Sequence, residues 1–217
     1  MESSRNTKFI RSAFTALFTA LICLGTFISH PLPGGIPISV QNMFAALSGL
    51  VLGGLQGAGA VGLFLVLGVA GLPVFSGFRG GLAVMQGPGG GYLIGYFLGA
   101  LAGGIIIGSP LKKERKTLPF MIRAACATIV AFALQYAAGI PWFMAVMEAS
   151  GKDMTLSTAL SHSLIPFIPG DLIKMLLSFT LALVLRPIAA RHLYPDDEKE
   201  AEEILRRLEK RRQQDGI

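Results

Sequence analysis

The sequence has few charged residues and lacks the motifs of common hydrolases and nucleotide-driven enzymes. Only 15% of its 217 residues are charged, whereas a typical soluble domain carries about 25%. Cys23 and Cys126 each lie inside an apolar run, so we expect both to be reduced, and no Cys/His metal spacing occurs. No HExxH, GxSxG or GxxxxGK[ST] pattern occurs, so zinc hydrolases, serine hydrolases and P-loop NTPases lack support. We therefore expect no enzyme, no bound cofactor and no metal, and any uphill work would need energy from elsewhere.

The residues that are present form long apolar runs, and 52% of the chain is hydrophobic. Runs of about 20 residues are typical of helices that cross a bilayer, not of the strands of a membrane barrel. They predict an all-α integral membrane protein with six transmembrane helices in residues 1–193, followed by a charged cytoplasmic helix or tail over 194–217. The six helices are expected at about 8–28, 40–55, 58–72, 92–108, 120–138 and 171–193.

Two boundaries in this scheme rest on local breaker residues. A tight turn near Gln56 and Gly57 is expected to join the second and third helices. Gly139, followed by Ile140 and Pro141, is expected to end the fifth helix, because proline lacks the backbone N–H that a helix interior needs. The first apolar run is long and has no small-residue cleavage site, so we expect no cleavable signal peptide.

The basic residues indicate how the chain is oriented. Every lysine and arginine except Arg79, Lys152 and Lys174 lies near the N-terminus, in the 112–123 segment or from Arg186 onward. Such clustering is the positive-inside pattern of cytoplasmic loops. It predicts that both termini are cytoplasmic, and it explains the basic composition without a nucleic-acid partner.

An acid and an amine interrupt the start of the last apolar run. Pro169 and Gly170 end the preceding segment, and Asp171 is a suitable helix N-cap. Lys174 lies three residues later and therefore shares a helix face with Asp171. An ionisable group in the hydrocarbon costs about 2.5–3.5 kcal/mol at the bilayer centre and usually marks a ligand or ion path. The alternative is an N-cap aspartate beside a lysine that extends to the membrane surface.

Few other polar groups are expected at the outer side of the membrane. They are Ser39, Gln41, Asn42, Arg79, Gln86 and Tyr92. A mostly apolar cavity with a few placed donors and acceptors is typical of a small-ligand site. Residues 71–91 are rich in glycine and long enough to fold back over such a site. A GxGxxG pattern at 57–62 does not indicate dinucleotide binding, because no strand precedes it.

Four blocks of this sequence resemble the BioY family, the biotin-specific membrane components of energy-coupling factor (ECF) transporters. The blocks are IPISVQ at 36–41, GVAGLPVF at 68–75, GPGGGYLIGY at 87–96 and IPGDLIK at 168–174. The resemblance covers about residues 8–190. It implies a six-helix substrate-binding (S) component in the cytoplasmic (inner) membrane of a prokaryote, which captures biotin from outside.

The resemblance also implies roles for particular residues. Asp171 and Lys174 would contact biotin, and Ser39, Gln41, Gly90 and Tyr92 would complete the pocket. Ala16 and Ala20 on the first helix would dock on a transmembrane coupling protein that is driven by two ATPases. The family usually has threonine at positions 39 and 89; Ser39 keeps the hydroxyl group, whereas Gly89 loses it. Arg79 is a candidate contact for the ligand carboxylate, or a solvated loop arginine.

Two alternatives remain open at this point. The protein could be an S component for another vitamin or vitamin precursor. It could instead be a membrane scaffold whose glycine stripes only pack helices, in which case no small ligand would bind. The sequence leaves a homo-oligomer possible.

Overall fold

The computed structural model describes residues 2–30, 36–110 and 117–193, with side chains described from Lys8 onward. The described residues form eight α-helices and one pair of two-residue strands. The helices are α1 Glu2–Leu24, α2 Gln41–Leu52, α3 Gly54–Val69, α4 Leu82–Gln86, α5 Gly90–Ile107, α6 Leu118–Ala149, α7 Leu156–Ser163 and α8 Ile168–Leu193. Strands β1 (Ser29–His30) and β2 (Ile38–Ser39) are antiparallel, with Ser29 opposite Ser39. The predicted tail at 194–217 lies outside the described residues.

Helix α2 is the centre of the bundle. It contacts α1, α3, α5, α6 and α8, and every one of its residues except Phe44 is buried. A helix that is apolar nearly all round can be enclosed in this way. Its two polar residues in the first turn, Gln41 and Asn42, are therefore held in the interior.

The helix lengths agree with a membrane protein. Within the described residues, four helical segments are long and apolar enough to cross a bilayer: residues 8–27, α5, α6 and α8. Helices α2 and α3 have 12 and 16 residues, or about 18 and 24 Å at about 1.5 Å per residue. Both are shorter than the roughly 30 Å hydrocarbon core. The all-α architecture agrees with the sequence prediction, whereas the count of six transmembrane helices stays a prediction.

The turn between α2 and α3 lies at Gly53, so the boundary predicted near Gln56 and Gly57 is wrong. Gly53 has φ 88°, which glycine adopts without a Cβ clash. Its N–H donates to the carbonyl of Gly49 at 2.9 Å and closes the end of α2. Helix α3 then begins at Gly54 with no intervening loop.

The fifth predicted helix does not end at residues 139–141: α6 continues through Pro141 to Ala149. Proline costs one hydrogen bond of the helix, but the continuation of α6 is held from outside. The indole N–H of Trp142 donates to the carbonyl of Gly87 at 3.0 Å. The Tyr92 ring lies so close to Gly139 that an added Cβ would meet it at 2.4 Å. The longer helix places Trp142 against the 71–91 segment.

The glycines repeated every four residues in α5 face α6. An added Cβ at Gly95 would lie 2.6 Å from the Cα of Gln135, and one at Gly99 would lie 2.3 Å from the carbonyl oxygen of Ala131. Only glycine allows two backbones to approach so closely. The stripe therefore determines how near Gln135 lies to α5.

Arg186 joins three helices at one end of the bundle, which we call the basic end. It is completely buried in α8. Its guanidinium donates to the carbonyl of Leu50 in α2 and to those of Gly108 and Ser109 after α5, at 3.1 and 3.0 Å. The group also lies over the Phe120 ring, 5.9 Å from its centroid. Carbonyls at helix C-termini lack hydrogen-bond donors within their own helix. The Arg186 guanidinium donates to these carbonyls instead.

Candidate functional site

Two adjacent cavities lie at the opposite end of the bundle, which we call the site end. The outer cavity has a volume of about 280 Å³ and lies under the 71–91 segment. The inner cavity has a volume of about 30 Å³ and reaches the first turns of α2 and α8. Both are lined by Ile36, Pro37, Tyr92 and Tyr96. The arrangement is a mostly apolar outer space with a small polar recess.

The recess is built around Asp171, which is buried together with Lys174. The Lys174 ammonium donates to Asp171 Oδ1 at 2.9 Å, and the Asn42 amide donates to the same oxygen at 3.1 Å. The Tyr136 hydroxyl donates to Oδ2. Helix α8 presents the acid and the amine on one face because they are three residues apart. The carboxylate is thus paired and hydrogen-bonded, as a buried charge requires.

These contacts use the acceptors of Asp171 and Asn42 and leave donors of Lys174. Both oxygens of Asp171 are engaged, and the Asn42 carbonyl oxygen accepts from the backbone N–H of Met43 at 3.0 Å. An ammonium group has three N–H donors, and Lys174 makes one hydrogen bond within the described residues. The recess is therefore suited to a ligand group that accepts hydrogen bonds.

Three tyrosines form aromatic walls around the recess. The hydroxyl of Tyr92 donates to the carbonyl of Ser163 at 3.0 Å. Its ring meets that of Tyr136 edge to face, with centroids 5.9 Å apart. Tyr96 lies one helical turn after Tyr92 and lines both cavities. Such rings provide flat apolar contact area to a ligand.

Of the predicted pocket residues, Ser39, Tyr92, Asp171 and Lys174 line the inner cavity. The sequence reasoning missed Tyr96, Gln135 and Tyr136, which line it as well. A signal existed for the last two, because adjacent polar residues interrupt an otherwise apolar run. Both residues lie inside the helix predicted at about 120–138, and packing of α6 against α5 and α8 places them at the cavity.

Gln41 and Gly90 lie behind the cavity walls. The Gln41 amide donates to the carbonyls of Ile22 and Val74 at 3.1 and 2.6 Å, and its carbonyl oxygen accepts from Ser76 at 2.6 Å. An added Cβ at Gly90 would lie 1.7 Å from the carbonyl oxygen of Met85. Direct ligand contact by either residue stays a prediction; the observed contacts hold the 71–91 segment in place.

Arg79 lies at the rim of the outer cavity and is exposed. Its backbone pairs with that of Phe75, N–H to carbonyl in both directions at 2.9 and 3.1 Å. Its side-chain Nε–H donates to the carbonyl of Ser76 at 3.1 Å. A tight turn therefore holds a cation at the cavity mouth.

Ala16 and Ala20 are far from this chemistry. Both are exposed on α1, on the same side as Ala13, and neither lines the two cavities. Among the residues with described structure, no group of three His, Cys, Asp or Glu side chains could hold a metal ion.

Comparison with known proteins finds relatives that span this bundle. The model of the BioY family matches residues 1–191. "Biotin transporter BioY" of Thermotoga maritima is 35% identical over 172 residues, covering 79% of this chain and 93% of that protein. Its namesake in Rhodobacter capsulatus is 39% identical over 178 residues, covering 80% and 90%. The crystal structure of an S-component for biotin from an ECF-type ABC transporter matches with a TM-score of 0.69 and 30% identity, covering 83% and 93%.

Proposed function

This chain belongs to the BioY family, and we propose that it captures biotin from outside the cell as the S component of an ECF-type uptake transporter. It is a transporter component and not an enzyme. The observation that carries the proposal is the buried pair of Asp171 and Lys174, which faces a polar recess at the end of a larger apolar cavity.

The chemistry of the two cavities matches the parts of biotin. Biotin has a polar ureido group on an apolar fused ring and an apolar chain that ends in a carboxylate. The outer cavity offers apolar walls that include Phe75, Val84 and Leu93. We place the ureido group at the recess beside Lys174, with Ser39 and Tyr92 lining it. The chain then runs through the outer cavity towards Arg79 at the mouth. Gln41 and Gly90 support this pocket from behind.

The proposed topology has six membrane-embedded helices in the cytoplasmic membrane of a prokaryote, with both termini in the cytoplasm. Helices α1, α2, α3, α5, α6 and α8 alternate in direction between the basic end and the site end. Lys8, Arg11, Arg186 and Arg191 all belong to segments at the basic end, which the positive-inside rule assigns to the cytoplasm. The site end then opens outward, as capture from outside requires. The short α2 is enclosed by the other helices, whereas the short α3 packs on one side of it and keeps an exposed side.

The energy for uptake comes from partner proteins, because the sequence has no P-loop. The proposed partners are a transmembrane coupling protein and two ATPase subunits. The exposed face of α1 with Ala16 and Ala20 is the proposed docking surface, since small residues allow close helix approach. The variant Ala16→Leu/Ala20→Leu should keep biotin binding and lose co-purification with the coupling protein. Gly59→Leu, on the exposed side of α3, is the matched control and should keep both.

Binding experiments test the proposal directly. Protein purified in detergent is analysed by mass spectrometry for retained biotin and then titrated with biotin, thiamine and riboflavin in a calorimeter. We expect saturable binding of biotin alone. Binding of a different vitamin would leave the S-component class in place and overturn the substrate. A stably folded protein that binds none of them would favour the scaffold alternative.

A further inference from the structure

Gln135 carries a buried amide that the fold does not use. Within the described residues, two buried side-chain atoms lack a hydrogen-bond partner: Nε2 of Gln135 and Oγ of Ser178. Gln135 is only 2% exposed, and it lines the inner cavity, whereas Ser178 does not. Buried polar groups are almost always paired in folded proteins, and an unpaired one lowers stability. An amide left unpaired beside a cavity therefore points to a ligand that completes it.

The helix contacts fix where this amide lies. Gly95 of α5 allows the backbone of α6 to approach at Gln135. The next residue, Tyr136, is tied to Asp171 of α8 by its hydroxyl group. The backbone of Gln135 is thus held from two sides, so its side chain starts from a fixed position beside the recess.

Hydrogen-bond accounting identifies the type of ligand atom. The acceptors of Asp171 and Asn42 are engaged by neighbouring groups. The donors that remain are the Gln135 amide and the further N–H bonds of Lys174. Gln135 and Lys174 both line this small space, and an oxygen acceptor between them would accept from both.

Volume and charge distinguish the two oxygen-bearing ends of biotin. A cavity of about 30 Å³ has room for about two water-sized groups, so it takes the tip of a ligand and not its ring system. A carboxylate there would lie beside the Asp171 carboxylate, and like charges in a buried site repel strongly. A neutral carbonyl avoids this repulsion, while the exposed guanidinium of Arg79 remains available at the mouth for the carboxylate.

On the premise of the proposed function, we propose that the Gln135 amide is a substrate-binding group that donates, together with Lys174, to the ureido carbonyl oxygen of biotin in the inner cavity. Gln135 then contributes to specificity, because a ligand without an acceptor at this position leaves two buried donors unpaired. This role also explains why the protein keeps a buried, unpaired amide that lowers the stability of its ligand-free form.

The test compares Gln135→Leu with the unsubstituted protein against three probes. Biotin has both polar ends, biotinol lacks the carboxylate, and 2-iminobiotin has nitrogen in place of the ureido oxygen. Calorimetric titration should show that Gln135→Leu weakens binding of biotin and biotinol alike, by about tenfold for one hydrogen bond lost in a buried site. 2-Iminobiotin should bind weakly to both proteins and show little further loss. A loss for biotin that is absent for biotinol would place the carboxylate at Gln135 and overturn the proposal.

Thermal unfolding of the ligand-free proteins separates binding from packing. Gln135→Leu removes an unpaired amide, so its melting temperature should equal or exceed that of the unsubstituted protein, while the increase caused by biotin becomes smaller. A lower melting temperature with unchanged biotin affinity would show a packing role and overturn the inference. Ser178→Ala removes the other unpaired group outside the cavity and should leave biotin affinity unchanged.

The result also separates this inference from the function on which it rests. If the unsubstituted protein binds no biotin, the proposed function and the inference are both overturned. If it binds biotin, and Gln135→Leu binds each of the three probes as tightly as the unsubstituted protein does, the function stands. Only the role of Gln135 is then overturned.

Discussion

Lys174 and Arg186 are two buried cations in α8, but they occupy different surroundings. They are twelve residues apart, or about 18 Å along the helix axis at about 1.5 Å per residue. Lys174 pairs with Asp171 and faces a cavity. Arg186 donates to carbonyls from α2 and the segment after α5, and it packs over Phe120. The first cation has donors available for a ligand, whereas the second joins helices.

The difference follows from the chemistry of the two side chains. Arginine has five donors in a rigid planar group, which suits several fixed carbonyls at once. Lysine is a compact charge with rotatable donors on a flexible stem, which suits a ligand that binds reversibly. Burial of a cation in a membrane protein therefore does not by itself indicate a ligand site. The groups that its donors face decide its role, and single substitutions can separate the two roles.

The largest effect is expected for Arg186→Met. The change leaves the carbonyls of Leu50, Gly108 and Ser109 without their donor, and buried unpaired groups cost about 1–3 kcal/mol each. We expect the free energy of unfolding to fall by about 3–5 kcal/mol on that basis. Thermal unfolding in detergent, followed by the fluorescence of the single tryptophan, Trp142, measures the change.

The matched control is Arg191→Met, which changes an exposed arginine in the last turn of α8 and should unfold like the unsubstituted protein. The molecules of Arg186→Met that remain folded should bind biotin with unchanged affinity, because the site end is untouched. Weaker biotin binding in that folded fraction, without loss of stability, would contradict the division of roles between the two cations.

Lys174→Met tests the other cation. The ligand loses a charged donor, and hydrogen bonds to charged groups contribute about 1.5–3 kcal/mol. With Asp171 also left without its counter-charge, we expect biotin affinity to fall about a hundredfold, since about 1.4 kcal/mol corresponds to tenfold. Calorimetric titration measures this loss, and Lys152→Met, on an exposed lysine near the same end, should show none. Unchanged affinity in Lys174→Met would remove the pair from the binding site.

The contrast also explains what could be predicted from the sequence. Asp171 and Lys174 stand out because two charges interrupt an apolar run, and that signal is local. The role of Arg186 depends on carbonyls that lie 136 and about 77 residues away in the chain. From its position in the sequence, Arg186 was grouped with the basic residues of the cytoplasmic end. No neighbouring residue indicated that its side chain is buried.

The end of α6 was predicted wrongly for a different reason. The local rule that proline ends a helix was applied at Pro141, but contacts from the 71–91 segment and α5 keep α6 helical beyond that point. Tertiary contacts thus overrode a local preference. Gln135 and Tyr136 lay inside the predicted helix, but their place at the cavity depends on contacts of α6 with α5 and α8 that no local pattern indicates.

Gln41→Met distinguishes support of the site from contact with the ligand. It removes the amide bonds to the carbonyls of Ile22 and Val74 and the acceptor for Ser76. We expect the free energy of unfolding to fall by about 2 kcal/mol, given about 1 kcal/mol for each net hydrogen bond and partial relaxation of the freed groups. Biotin affinity measured by titration should change by less than about threefold, below 1 kcal/mol.

Gln56→Met is the control for this change, because Gln56 makes a single exposed bond to the carbonyl of Arg11. A large loss of biotin affinity in Gln41→Met at unchanged stability would return Gln41 to the group of direct ligand contacts. It would also show that the amide can leave its three partners when biotin is bound.

The smallest effect is expected for Arg79→Gln, because this cation is neither buried like Lys174 nor bonded between helices like Arg186. Exposed charge pairs contribute only about 0.2–1 kcal/mol, so biotin affinity should fall by no more than about fivefold. The loss should appear mainly in the association rate and should shrink as added salt screens the charge. Biotinol, which lacks the carboxylate, should bind equally well to the unsubstituted protein and to Arg79→Gln.

The control is Arg123→Gln, which removes an exposed charge at the basic end. It should change neither the association rate nor the dissociation rate of biotin. An equal loss for biotin and biotinol, independent of salt, would show that Arg79 acts through the shape of the 71–91 turn and not through its charge.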